Sequence, residues 1–429
     1  MLKAKWLSQT LQYALCIVAF AIPFPFICST LALLLLCAVW LLQCRPAATL
    51  ANLGKRKALW PWLLYYILLA VSYTYSINKY DSLFDLQSKL SLFVLPVIIG
   101  AGMVIEKAVF RKVLLSFTIG VGVIAIYCLL RSTWIWQQTQ QTQQFFYHDL
   151  IGPLDANAVY QAWYAIFSLS ILLLYPREVR NNRTKIFRIV FFFIQFLFFV
   201  LLSSKTLILL FCLVVIPVYI RQLYKKGKLS IAPILAIVSG VLLMALLLVK
   251  THNPIKQRYE DILDKNIQDA LRKDYHQNSP FFSNLTLRLF VWRVAIENIK
   301  EHKLWLKGSG NGSVKELQNK KISEYGIYDI YNYKHPSPIR NMNIHNMYLQ
   351  SLFMVGVGGL ICFLLILFLP LFLPVTRATG SIFFCFFVIS IFFMAQESAL
   401  QTQAGIVFFS FFSALGWNIY YENKKLQLP

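Results

Sequence analysis

The chain has 429 residues, of which 58% are hydrophobic and only 14% charged, with a formal net charge of +23. A soluble domain carries about 25% charged residues, so the deficit and the long uncharged runs exclude an ordinary globular protein and put the chain in the membrane class. Most of the basic residues sit in short loops between apolar runs. There they act as topogenic charge and not as the footprint of a nucleic-acid binder.

A spanning helix needs about 20 mostly apolar residues. Twelve stretches meet that length approximately, at 10–27, 29–43, 58–75, 88–105, 112–130, 156–175, 187–203, 205–222, 229–249, 344–373, 380–396 and 402–420. The first run lacks a small-residue cleavage site and is followed at once by another, so it reads as a retained helix rather than a signal peptide. The eight cysteines lie in or at the ends of apolar runs, with no CxxC pair, so neither a metal site nor a disulfide framework is suggested.

In chain order, His148 and Asp149 precede the sixth span, as a solvated pair or a second substrate-contacting site. Ser203-Ser204-Lys205-Thr206 breaks the apolar run between spans seven and eight. Lys205 is either a snorkelling residue at the membrane surface or an anion ligand at the mouth of a cavity. A polar loop follows at 250–342, expected to be mainly helical at Pro254–Asp274, Asn284–His302 and Ser313–Glu324, and irregular from Tyr325 to Asn343. In its middle helix Leu285, Leu289, Trp292, Ile296 and Ile299 form an apolar stripe with Arg288 at the edge. Arg288 needs a buried anion there, either a structural carboxylate or a phosphate. Arg293 points further away and has Glu297 four residues on, the spacing of a solvated ion pair. Gly308-Ser309-Gly310-Asn311-Gly312 lacks the phosphate-loop pattern and reads as a helix C-cap and turn.

The tenth span opens at His345-Asn346-Met347-Tyr348. Positions 345, 349, 352 and 356 share one helical face. His345 is either an interfacial residue beside a snorkelling Tyr348 or a functional group, as ionisable residues at membrane helices commonly are.

Orientation follows from Lys and Arg in the short loops. With the N-terminus inside, 21 basic residues fall in inside segments and four (Lys79, Lys89, Arg131 and Lys205) in short outside segments. Both ends are then cytoplasmic and the long loop is extracytoplasmic. The expected fold is an all-α polytopic membrane protein of about twelve spans in three parts: spans one to nine over 1–249, the loop domain over 250–342, and spans ten to twelve over 343–429.

From His345 to Leu360 the chain reads HNxYLxxLxxxGxxGL, and Leu287–Gly310 reads LRLxxWxxAxxxIKEHxLWLxGSG. With the Ser-Ser-Lys-Thr break, these segments resemble the O-antigen ligase/Wzy polymerase family of membrane glycosyltransferases over roughly residues 187–365. The first five spans match only in hydrophobic pattern. The resemblance implies an inner-membrane enzyme with a periplasmic loop that moves a glycan from undecaprenyl diphosphate to lipid A–core, another glycan or a protein hydroxyl. It implies no metal, nucleotide sugar or other cofactor. It makes His345 the catalytic base and Arg288 a ligand of the diphosphate; Asn346 and Tyr348 beside His345, and His148 in its own loop, are the candidate accessory residues. Lys205 stands where the family usually has a second arginine, and offers a point charge instead of a bidentate fork. The alternative from another class is a transporter or flippase of lipid-linked saccharides. The lack of an obvious internal repeat and the 93-residue loop count against it.

Overall fold

The computed structural model describes residues 2–154, 156–175, 182–225, 227, 265–273, 283–327, 329–332, 335–338, 341–372 and 378–425. The span expected at 229–249 and most of the helix expected at Pro254–Asp274 lie outside them.

The described chain is helical apart from one hairpin. Its helices are α1 (Leu2–Ala21), α2 (Phe26–Leu41), α3 (Pro46–Lys55), α4 (Trp60–Ser72), α5 (Lys79–Ser88), α6 (Ser91–Leu95), α7 (Lys107–Thr139), α8 (Tyr147–Ile151), α9 (Ala158–Leu174), α10 (Asn182–Leu201), α11 (Lys205–Leu210) and α12 (Ile216–Lys225). After these come α13 (Asn284–Glu301), α14 (Val314–Glu324), α15 (Met347–Phe368), α16 (Ala378–Met394) and α17 (Gln403–Lys425). The stretch expected to be irregular holds antiparallel strands β1 (Asp329–Asn332) and β2 (His335–Pro338), paired from Asp329↔Pro338 to Asn332↔His335.

Among the described residues five helices are long and apolar enough to cross a membrane: Lys79–Ala101, Lys107–Thr139, Lys205–Lys225, Met347–Phe372 and Gln403–Glu422. The number rises to seven if each of two bent pairs counts as one span. One such pair is α2 with α3, bent by 108° beyond Leu41. Three shorter apolar helices, Gln9–Ala21, Ile186–Leu201 and Thr379–Met394, coincide with further expected spans.

The helix expected from residue 88 starts nine residues earlier. Asn78 caps it, its side chain accepting from the Asp81 amide, as an N-cap residue does. Lys89, assigned to an outer segment from sequence, is the C-cap residue of α5, at the turn into α6. It is fully buried and pairs with Asp85 at 2.5 Å, one turn away.

The core is aromatic. Phe117 of α7, Phe167 of α9, Phe386 of α16 and Phe412 of α17 interlock, with centroids 4.8 Å apart for 117–412, 167–386 and 167–412. Such pairs add to the burial of their area. Buried Gln195 ties α10 to its neighbours. It accepts from the Ser168 hydroxyl at 2.6 Å and donates to the Thr118 carbonyl at 3.2 Å, the short-range polar bonding that holds membrane helices together.

Candidate active site

The turn between α16 and α17 gathers residues from four distant parts of the chain. Its centre is Glu397, 8% exposed at the side chain. Arg288 of α13 donates from Nη2 to Glu397 Oε1 at 2.6 Å. His345 Nδ1 lies 3.1 Å from the other oxygen, Oε2. The neighbours of Glu397 make the same kind of link. Gln396 Oε1 accepts from the Thr206 hydroxyl at 2.5 Å, and the Ser398 hydroxyl accepts from the Asn346 amide at 3.1 Å. Three segments singled out from sequence therefore converge on one turn: the break before α11, the arginine of α13 and the start of α15.

Burial works to raise the Glu397 carboxyl. The hydrogen bond and charge of His345, then the Arg288 guanidinium, outweigh burial and hold the group below its ordinary value. An ionised carboxylate only accepts hydrogen bonds. In its neutral form His345 then carries its proton on Nδ1, which leaves Nε2 to accept one. Arg288 and His345 remain 29% and 28% exposed at the side chain, so both reach the surface of the cluster.

His345 does not stand on the helical face expected for it. Asn346 caps α15, its side-chain oxygen accepting from the amides of Tyr348 and Leu349 at 3.0 and 3.1 Å. His345 thus precedes the helix, at a left-handed φ of 52°. Its carbonyl accepts from Trp292 Nε1 at 3.4 Å, which ties it to α13. A left-handed backbone at a non-glycine residue is uncommon, and here it coincides with the residue the motif singles out.

Gly356, the other end of the expected face, is not helical either. At φ 68°, ψ −165° it breaks α15. The loop fills that break: the Ser309 and Gly310 amides donate to the Phe353 and Met354 carbonyls at 2.8 and 3.0 Å, and the Val357 amide donates to the Trp305 carbonyl at 2.7 Å. A Cβ on Gly308 would collide with the Met354 carbonyl, and one on Gly356 with that of Leu306. These glycines therefore serve backbone-to-backbone approach, and the C-cap reading of 308–312 is corrected. Helix α13 closes earlier, at His302, with Lys303 left-handed (φ 53°) and the Leu304 amide donating to Ile299 at 2.9 Å. Beyond the glycines, buried Asn311 accepts from the hydroxyls of Ser72, Ser76 and Ser82 and donates to Asp85 Oδ2 at 3.4 Å. The loop is pinned to α4 and α5 as well as to α15.

The remaining expected residues are dispersed. Lys205 opens α11 beside Thr206 and is half-buried. Tyr348 uses its hydroxyl on the Ile391 carbonyl at 3.0 Å, linking α15 to α16. His148 is exposed on α8, its ring 4.0 Å from that of Tyr147. Arg293 pairs with Glu297 at 3.7 Å, the partner expected for it, but is not a solvated surface residue. Its guanidinium lies over the rings of Phe290 and Tyr325, 5.3 and 5.0 Å from their centroids.

Glu397 itself went unread in the sequence. The signal was present, because it is the single acidic residue between Asn341 and Tyr421 and stands between two apolar runs.

The search of the curated proteins finds no match. Residues 190–364, which carry Lys205, Arg288, His345, Asn346 and Tyr348 but neither His148 nor Glu397, match the family model described as O-antigen ligase, and the resemblance drawn from the sequence motifs is borne out over that segment.

Proposed function

We propose that the protein transfers a glycan from undecaprenyl diphosphate to a hydroxyl acceptor on the periplasmic face of the inner membrane, with about twelve spans and both termini cytoplasmic. The observation that carries this reading is the pairing of Arg288 and His345 on the two oxygens of one buried carboxylate, within reach of the start of α11. His345 Nε2 takes the proton of the acceptor hydroxyl. The acceptor oxygen bonds to the anomeric carbon while the bond from that carbon to the phosphate oxygen breaks, and the electron pair leaves with the diphosphate. Direct attack of this kind inverts the anomeric centre. Glu397 fixes the imidazole by the logic of a carboxylate–histidine pair. Arg288 spends Nη2 on Glu397 and presents its remaining edge to the leaving diphosphate. Lys205 adds a second positive charge at the N-terminus of its helix, where the aligned amides also favour an anion. The residues used are all protein side chains, and no metal or cofactor takes part.

Ligase and polymerase share this chemistry, and the ligase, with lipid A–core as acceptor, is the reading we prefer. A deletion followed by a surface-polysaccharide gel separates them. Loss of a ligase leaves core alone while lipid-linked polymer accumulates, whereas loss of a polymerase leaves core with a single repeat. Unchanged surface polysaccharide refutes both. A transporter of lipid-linked saccharides would use a broken membrane helix such as α15 to hold its cargo. In this chain the loop backbone occupies that break, so the feature favours the transferase.

A further inference from the structure

A second feature lies where the start of α7, the end of α9 and the start of α10 meet. Leu114 and Leu115 of α7 and Ile171 and Leu172 of α9 wall a shallow open cleft, with Arg111 and Arg188 also lining it. Arg188 is fixed in place, since Nη2 donates to the Leu172 carbonyl and, at 3.3 Å, to that of Tyr175. Arg111 is exposed. The cleft is remote from Glu397. Helix α10 leads from Arg188 to the break at Ser203–Thr206, and residues 188–201 rise about 20 Å, so the two features sit near opposite faces of a bilayer core about 30 Å thick.

Two observations fix the kind of occupant. Arg111 and Arg188 both line the cleft, and Lys107 lies one helical turn before Arg111 on α7, so the lining is basic. Ile186, Phe187, Ile189 and Val190 of α10 are all exposed and apolar, so the element beside the cleft faces lipid. A soluble anion has no use for leucine walls, whereas a molecule with a negative head and an apolar tail matches both halves. We propose that this cleft binds an anionic phospholipid, its phosphodiester between Arg111 and Arg188 and an acyl chain against Leu115 and Leu172. Basic pockets between membrane helices bind acidic lipid headgroups in this way. Under the topology proposed above the lipid belongs to the cytoplasmic leaflet.

The test uses the full chain, purified in detergent and titrated with phosphatidylglycerol or phosphatidylcholine, with retained lipid read by native mass spectrometry. The wild type is expected to retain phosphatidylglycerol at least about fivefold over phosphatidylcholine, the factor that one basic residue contributes near an anionic surface. Arg111→Gln and Leu115→Trp each remove most of that preference, and Lys112→Gln, outside the cleft, leaves it intact. Arg188→Gln also strips the cap from α9. The exposed Arg111 variant avoids that difficulty, and its thermal midpoint checks that it folds. Equal retention of the two lipids overturns the proposal, as does a wild-type preference in both cleft variants. Displacement of phosphatidylglycerol by millimolar inorganic phosphate overturns it too, by making the cleft a site for a soluble anion.

Discussion

Glu397 sets the state of two neighbours at once, which gives its variants separable consequences. Glu397→Gln keeps the size of the side chain but lets it donate as well as accept, so the imidazole proton is no longer confined to Nδ1. Transfer is expected to fall by about 10²–10⁴, the range that general-base assistance is worth, in a reconstituted assay with a defined lipid-linked donor. Full activity in that variant would remove Glu397 from the chemistry. The arginines make a paired test. Arg288→Ala is expected to abolish transfer while the protein still inserts. Arg293→Ala is expected to keep transfer and to cost about 1–2 kcal/mol of stability, from two ring contacts at about 0.5–1 kcal/mol each, read as a lower thermal midpoint. If the two behave alike, the division between site and packing fails. At this scale the convergence of Arg288 and His345 was legible because stripe and motif marked them, and the carboxylate left open as a partner of Arg288 is the one found. Glu397 was not, because it lies outside every motif and meets its partners only through a fold that brings residues 52 and 109 positions apart together.

The element that decides the site's shape is α15, with its break at Gly356. A φ near 70° with ψ near 180° is a conformation essentially confined to glycine, and other residues there cost about 1–3 kcal/mol. Gly356→Ala adds a collision with the Leu306 carbonyl. It is expected to lower the thermal midpoint and to reduce transfer, because the loop loses its seat on the helix that follows His345. Transfer and midpoint both at wild-type values would show that the break is incidental. Sequence reading located α13, α14 and α15 closely, since helices carry a side-chain period. It missed the docking of 305–310 onto 353–357, because contact between backbones leaves no such period, only glycines with several meanings.

For the whole molecule, membrane class and helical fold were legible from composition alone, whereas the count of spans was not. Apolar runs set the number twelve, but α2 turns sharply into α3 and the helix from Lys79 carries its own charges. Reporter fusions at Arg183 and Asn319 are expected to report cytoplasm and periplasm respectively. A cytoplasmic signal at Asn319 would sink the topology and the mechanism together. Acid stability follows from Glu397. Its carboxyl is lowered on folding, so its contribution is fully present above the unfolded value of about 4.3 and is lost as pH falls through the lower folded value. Thermal midpoints measured downward from pH 5 should fall for the wild type more steeply than for Glu397→Gln. The seating of the loop on α15 has a last consequence, for traffic. Three main-chain bonds hold the loop to the membrane helix, and Asn311 holds it to α4 and α5. The described segment 305–311, fastened at both edges, does not swing open like a lid. A polyprenyl-linked donor, already lying in the lipid, would therefore enter sideways between helices, and a disulfide joining Ser309→Cys to Phe353→Cys should leave turnover intact.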